Sequence, residues 1–173
     1  MDSDLLIVNT GYGKGKTTAA LGLAMRALGH GYRVCVIQFM KGSWEYGELF
    51  SADRFGDNLD FHVMGRGFTW QSDNLEKDRE TAVHAWDRAK EIISSGEYKV
   101  VVLDELTYLM TFNFIDTKEA VAFLSDKNRK NHVVVTGRDA PRALIDAADL
   151  VTEMKEVKHP YKSGIMAQKG IEF

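Results

Sequence analysis

The stretch Thr10-Gly11-Tyr12-Gly13-Lys14-Gly15-Lys16-Thr17-Thr18 constrains this chain more than any other. It follows the apolar run Leu5-Leu6-Ile7-Val8 and opens a segment rich in alanine and leucine. A glycine-rich turn that joins the end of a strand to the start of a helix is the setting of a phosphate-binding loop. Glycines let backbone N–H groups converge on an anion with no Cβ in the way. The helix N-terminus adds free donors and a partial positive charge. Lys16 brings a full charge, and Thr17 a hydroxyl suited to Mg²⁺. The usual pattern has one more glycine, where Thr10 stands, so this loop is effectively one residue short. The competing reading is a glycine-rich turn with no ligand. Lys14 either adds charge to the loop or is solvated.

A loop of this kind needs a sheet behind it. Short apolar runs recur at residues 34–39, 61–64, 100–103, 133–135 and 150–151. The stronger ones are continuous rather than alternating, as in parallel strands buried on both faces. Helical patterns lie between them. Residues 17–28 are apolar nearly all round, which predicts a deeply packed helix, and Gly29 and Gly31 mark its end. Leu75, Ala82, Trp86, Ala89 and Ile93 recur at helical steps within residues 73–95. Asp116-Thr117-Lys118-Glu119 reads as a helix start, with Glu119 placed for a capping box. Pro141 suits a first helical turn. Alternating strands and helices predict a three-layer α/β fold, with the strand C-terminal ends gathered on one edge. Residues 1–173 read as a single domain.

Composition narrows the partners. Lys plus Arg is 22 against 25 Asp plus Glu, a formal charge of −3. That balance leaves no footprint for nucleic acid or an anionic membrane. No apolar run approaches the roughly 20 residues of a membrane span. The N-terminus lacks the basic and apolar regions of a secretory signal. The lone Cys35 sits in an apolar run and reads as a buried small hydrophobe. With no disulfide possible within the chain, a cytoplasmic location is expected.

Further candidates stand at the ends of strands. Val100-Val101-Val102-Leu103-Asp104-Glu105 is an apolar run closed by two carboxylates. In phosphate-loop proteins such a strand is expected beside the first, its acid reaching the Mg²⁺ shell. Glu105 fits either a metal ligand or a group that activates water. Arg138, in Thr136-Gly137-Arg138, is a phosphate contact or a surface arginine, and Lys41 is a weaker candidate of the same kind. Arg26 lies in an otherwise apolar helical stretch, where a charge needs a partner. A buried salt bridge and a ligand contact both satisfy that need. Phe68 and Trp70, in the glycine-flanked Gly65-Arg66-Gly67-Phe68-Thr69-Trp70, are loop anchors or the walls of a site for a large flat ligand.

Taken in order, several segments resemble one family. They are Thr-Gly-Tyr-Gly-Lys-Gly-Lys-Thr-Thr-Ala-Ala, Gln-Phe-Met-Lys-Gly, Gly-Phe-Thr-Trp, Val-Val-Leu-Asp-Glu-Leu-Thr-Tyr, Val-Thr-Gly-Arg, Val-Lys-His and Gly-Ile-Met-Ala-Gln-Lys-Gly-Ile-Glu-Phe. From Leu5 to Phe173 the chain is similar to the ATP:corrinoid adenosyltransferases of the phosphate-loop type, whose short loop it shares. The resemblance implies a P-loop nucleoside triphosphatase-like (recombinase-like) fold with a mostly parallel sheet. It implies transfer of the 5′-deoxyadenosyl group of ATP to the Co(I) of a reduced corrinoid, with release of triphosphate, in cobalamin synthesis or salvage.

By position, the resemblance implies that Gly11, Tyr12, Gly13, Lys14, Gly15, Lys16, Thr17 and Thr18 bind the triphosphate, around its terminal phosphate. Thr17 and Glu105, with Asp104 close by, would hold Mg²⁺ or Mn²⁺. Arg26 and Arg138 would touch nucleotide, and Phe68 and Trp70 would displace the lower axial ligand of the corrinoid. A flavoprotein reductant and a homodimer are also implied. Longer members have an N-terminal arm over the corrinoid. Here only Met1 to Asp4 precede the first run, so that cover is expected to be absent or to come from another segment or subunit. The alternatives are a generic phosphate-loop ATPase or small-molecule kinase, and a nucleotide-dependent binding module.

Overall fold

The structure is a computed structural model that describes residues 3–40, 46–65 and 75–173. Six strands form one sheet: β1 (Leu6–Thr10), β2 (Val34–Gln38), β3 (Leu59–Val63), β4 (Val100–Asp104), β5 (His132–Thr136) and β6 (Leu150–Glu153). Their lateral order is β3-β2-β4-β5-β1-β6, and every pairing is parallel. The continuous apolar runs become the central strands; β1, β2 and β4 are buried along their whole length. The short run at Leu150 forms the exposed edge strand β6.

The strand order corrects one expectation. β4, which carries Asp104, does not lie beside β1, because β5 runs between them. Lateral order among parallel strands depends on where each crossover helix packs, and a strand's own residues carry no mark of it.

Successive side chains on a strand point to opposite faces, and here each face has its own core. On one side Ile7, Val34, Val36, Val100, Val102 and Val134 meet α1 (Lys16–Gly29) through Ala20, Ala24 and Ala27. On the other, Leu6, Val8, Cys35, Ile37, Val101, Leu103, Val133 and Val135 pack with several helices. These are α3 (Leu75–Ser95), α4 (Leu106–Thr111), α5 (Thr117–Leu124) and α6 (Arg142–Ala147). The short helix α2 (Gly47–Ala52) follows β2 and leads into a 3₁₀ segment, Asp53–Asn58. The three layers are as expected.

The expected deep burial of α1 is not found. Only its alanine stripe is buried, and Met25 is 65% exposed. Small alanines let the helix lie close on the sheet along one face; Leu21, Leu23 and Leu28 are half-buried at the edges of that contact, and Met25 points to solvent. Cys35 is fully buried, as expected, and burial pushes its thiol up to about 12. That keeps it protonated and unreactive at neutral pH.

The start of α5 lies where the sequence suggests, and half of the capping box is formed: Asp116 Oδ1 accepts a hydrogen bond from Glu119 N at 2.9 Å. Asp116→Ala is expected to lower stability by about 1 kcal/mol, the usual cost of an N-cap acceptor. Urea unfolding checks this, and an unchanged midpoint would mean that water caps the helix equally well.

Candidate active site at the strand ends

The glycine-rich loop leaves β1 and enters α1 with its backbone held on both sides. Gly15, the residue before the helix, has φ 112°, and Gly11 has φ 94°. Positive φ of this kind suits glycine. Two hydrogen bonds tie the loop to the chain after β6: Met154 N donates to Thr10 O at 2.8 Å, and Gly13 N donates to Met154 O at 2.6 Å. No side chain fits in that contact. A Cβ on Gly11 would stand 2.5 Å from Met154 O, and one on Gly13 would stand 2.7 Å from it.

Lys16 and Thr17 begin α1. The Lys16 ammonium donates to Gly13 O at 2.7 Å, curling over the loop. Burial lowers its pKa, the nearby Arg138 lowers it further, and Glu105 and Asp104 oppose them. Thr17 Oγ1 donates to Asp104 Oδ1 at 2.7 Å. The loop strand and the Asp104 strand therefore meet across the intervening β5.

Asp104 is fully buried. Its Oδ1 also accepts from Thr136 Oγ1 at 2.7 Å, and its Oδ2 accepts from Gln38 Nε2 at 3.0 Å. Thr136 Oγ1 in turn accepts from Glu105 N at 2.9 Å. Glu105 has a left-handed backbone, φ 67°, and stands at the start of α4. The sharp turn after β4 leaves Asp104 inside and places Glu105 on the cleft.

Arg138 follows β5. Its carbonyl accepts from Thr107 Oγ1 at 2.6 Å, and Gly137 has φ 142° with no room for a Cβ, which would fall 1.9 Å from that oxygen. The guanidinium lies over the Tyr12 ring, 5.6 Å from its centroid, and Tyr12 OH donates to Asp139 Oδ1 at 2.6 Å.

These groups surround a cleft of about 690 Å³. Tyr12, Gly13, Lys14, Gly15, Lys16, Thr17 and Thr18 line it, together with Glu105 and Arg138. These expected residues thus converge, whereas Gly11 is packed against Met154 and Asp104 lies buried behind Thr17, neither lining the cleft. Arg26 does not join the cleft either. It is exposed on α1, nine residues past Thr17, and a helix rises about 13 Å over that length. Its exposure also removes the expected buried salt bridge. Lys41, Phe68 and Trp70 lie outside the described residues.

Several site residues escaped the sequence reading. Gln38 and Thr136 hold Asp104, and a polar residue closing an apolar strand was the signal for both. Tyr108 of α4 and Gly47, Glu48 and Ser51 of α2 also line the cleft. So do Gly170, Ile171, Glu172 and Phe173, and Glu172 forms an ion pair with Lys14. No local pattern announces a contact across 158 positions.

Comparison with known proteins agrees with this geometry. Residues 2–173 match the family model described as ATP:corrinoid adenosyltransferase BtuR/CobO/CobP. A corrinoid adenosyltransferase of Sinorhizobium is 45% identical, over 99% of this chain and 81% of that protein. Those of Pseudomonas aeruginosa and Escherichia coli are 43% and 41% identical, each over 98% of this chain and over 83% and 85% of theirs. Among solved structures, the flagellar accessory protein FlaH of Methanocaldococcus jannaschii superimposes with a TM-score of 0.58 at 12% identity, covering 87% of this chain and 70% of that one. That likeness concerns the fold alone.

The crowding at Gly13 makes a prediction. Gly13→Ala sets its Cβ against the backbone of Met154 and Lys155 and must displace the loop. A loss of about 1–3 kcal/mol is expected, with triphosphate binding lost as well. Gly22→Ala on α1, where nothing lies within 4 Å, is expected to be neutral or to gain up to about 1 kcal/mol from helix propensity. Thermal midpoints of the two variants check this, and equal midpoints would remove the steric argument.

Proposed function

We propose that this chain, which belongs to the ATP:corrinoid adenosyltransferase family and is a corrinoid adenosyltransferase, seats the triphosphate of ATP against its glycine-rich loop and presents the 5′ carbon to the Co(I) of a reduced corrinoid. The observation that carries this placement is the approach of Thr17 Oγ1 to Asp104 Oδ1, 2.7 Å, beside a cleft lined by Lys14, Lys16 and Arg138.

Co(I) is a strong nucleophile, so the transfer needs no general base. A cobalt–carbon bond forms as the bond from C5′ to the triphosphate oxygen breaks, and triphosphate leaves with that electron pair. The corrinoid carries the chemistry, and the protein supplies binding and electrostatics. The N–H groups of Lys16, Thr17 and Thr18 have no acceptor within α1 and are free to meet the terminal phosphate. Lys14, Lys16 and Arg138 spread the charge of the leaving group, and in-line positioning supplies the rest.

Mg²⁺ or Mn²⁺ fits this site. Thr17 Oγ1 and the Glu105 carboxylate are hard oxygen donors of the kind either ion takes. Among the described residues no three His, Cys, Asp or Glu gather as a metal cage. A cation here would be held by Thr17 and Glu105 together with phosphate oxygens, as Mg²⁺ usually is. Asp104 fixes the Thr17 hydroxyl from behind. When bound, the ion would offset charge on the triphosphate.

Phe68 and Trp70 are assigned to the corrinoid. Support comes from where their loop begins: Met64 N and Gly65 N both donate to Gln38 O, at the sheet edge that holds Asp104. Apolar rings that keep a donor off the lower face of cobalt ease the reduction of Co(II) to Co(I). A flavoprotein is the proposed source of the electron. Among the described residues no helix is long and apolar enough to cross a membrane. A single cytoplasmic domain over residues 1–173 is part of the proposal. A homodimer is proposed as well, and it is supported by the open edge of β6, where Leu150 and Val151 are 47% and 39% exposed.

Product analysis tests the reaction. ATP, a reductant and a corrinoid should give triphosphate and an adenosylated corrinoid, whereas phosphate or ADP would indicate an ATPase or kinase. In the same assay Thr17→Val and Glu105→Gln should raise the Mg²⁺ needed for half-maximal rate. If Glu105→Gln abolishes turnover with the Mg²⁺ dependence unchanged, Glu105 acts on a proton and not on the metal.

Phe68→Ala and Trp70→Ala should leave ATP binding nearly intact. They should impair adenosylation badly when the corrinoid starts as Co(II) under a mild reductant, and less when Co(I) is made chemically beforehand. Equal losses in both regimes, with a lowered thermal midpoint, would make the two rings structural anchors.

A further inference from the structure

Tyr12 is the one loop residue between Gly11 and Thr18 with an aromatic side chain, and its ring is 59% exposed at the cleft. An exposed ring needs a reason to keep one orientation, and two contacts supply it. The backbone at its base is tied down through Thr10 and Gly13 to Met154. The hydroxyl at its tip donates to Asp139 Oδ1 at 2.6 Å, across 127 positions of sequence. Asp139 has φ 50°, a left-handed backbone uncommon outside glycine, which is held where Ala140 N donates to Thr10 Oγ1 at 3.3 Å. The turn after β5 is therefore built around the phosphate loop, and the Tyr12 ring spans the two.

Over that ring lies Arg138, its Cζ 5.6 Å from the centroid. Among the described residues Arg138 forms no salt bridge. This choice of partner has a consequence. A carboxylate would orient the guanidinium but take up its N–H donors and cancel its charge. An aromatic face attracts the cation through its quadrupole and leaves the donors in the guanidinium plane open. The backbone of Arg138 is fixed as well, by Thr107 and by a Gly137 that admits no Cβ. Without the ring, several rotatable bonds would still leave the head free to swing away.

We propose that Tyr12 is a positioning residue for Arg138, its ring, tied to Asp139, holding the guanidinium over the cleft with its donors open to the triphosphate. This rests on the reading of Arg138 as a triphosphate contact, and the test separates the two claims. Inorganic tripolyphosphate with Mg²⁺ is titrated by calorimetry into the full chain and into Tyr12→Leu, Tyr12→Phe, Arg138→Ala and the double variant Tyr12→Leu/Arg138→Ala. KM and kcat for ATP and the thermal midpoint are measured on each.

Tyr12→Leu is expected to weaken tripolyphosphate and raise KM about fivefold, the scale of one exposed cation–π contact, with the midpoint little changed. Tyr12→Phe keeps the ring and should recover part of that loss. Arg138→Ala should weaken binding more than Tyr12→Leu, and in its background Tyr12→Leu should cost nothing further. If Arg138→Ala leaves tripolyphosphate affinity unchanged, the contact itself is absent and the proposal falls with it. If Arg138→Ala weakens binding and Tyr12→Leu still costs its full fivefold in that background, the ring acts independently of Arg138 and the positioning role is overturned.

Discussion

A buried carboxylate holds this site together. Asp104 closes β4 with no exposed surface and accepts hydrogen bonds from Thr17 of α1, Thr136 of β5 and Gln38 of β2. An isolated buried charge would be costly enough to unfold its surroundings or lose its ionisation. Three donors aimed at it reverse that penalty, and each comes from the terminus of a different element. The register of the strand ends, the entry of α1 and the height of the loop above the sheet are thus fixed by one acceptor. The same bonds leave Thr17 with its hydroxyl pinned and Glu105, one residue on, turned outward by a left-handed backbone. One inside acid and one outside acid from adjacent positions divide the work: the first builds, and the second faces the cleft.

What could be read from the sequence follows from how local each signal is. The loop, the buried strands, α3 and the Asp116 cap announce themselves within a few residues, because periodicity, glycine placement and capping are short-range physics. Strand order is not of that kind. Nothing in residues 100–104 tells whether β1 or β5 is their neighbour, so the expected adjacency of β4 and β1 failed, although Asp104 still reaches Thr17 across β5. Helices α2 and α4, six residues each, are too short to display a period. The burial of α1 was misjudged because alanine and glycine count as apolar without being large. Arg26 consequently seemed to need a buried partner that its exposure makes unnecessary. The Glu172–Lys14 pair and the Tyr12–Asp139 bond join opposite ends of the chain and leave no local trace.

The cleft gathers three cationic side chains, Lys14, Lys16 and Arg138. Burial disfavours the charge on Lys16, the neighbouring Arg138 adds to that, and Glu105 and Asp104 act in the opposite sense. An anion placed beside Lys16 would favour the charged ammonium and so offset the cost of its burial. The ammonium of Lys16 meanwhile rests on Gly13 O, a neutral carbonyl that yields readily to a phosphate oxygen. The Glu172 carboxylate on Lys14 yields less readily, since a full charge must be replaced. Such preorganised charge suits a reaction in which the nucleophile is already strong and the leaving group gathers negative charge as it departs.

The glycines of the loop then acquire a second meaning. A phosphate-binding loop is usually explained by the approach of an anion to bare backbone, yet Gly11 and Gly13 are crowded here by protein. The backbone of Met154 fills the space their Cβ atoms would take, and Gly13 N is already engaged by Met154 O at 2.6 Å. Their first duty is to let the chain after β6 lie against the loop, where two backbone hydrogen bonds to Met154 tie it down. The donors left over are those at the start of α1, where the helix leaves its first N–H groups without acceptors. Thus the chain at the end of β6, exposed and short as a strand, is the backing for a loop one residue below the usual length, and it meets that loop just before α1 begins.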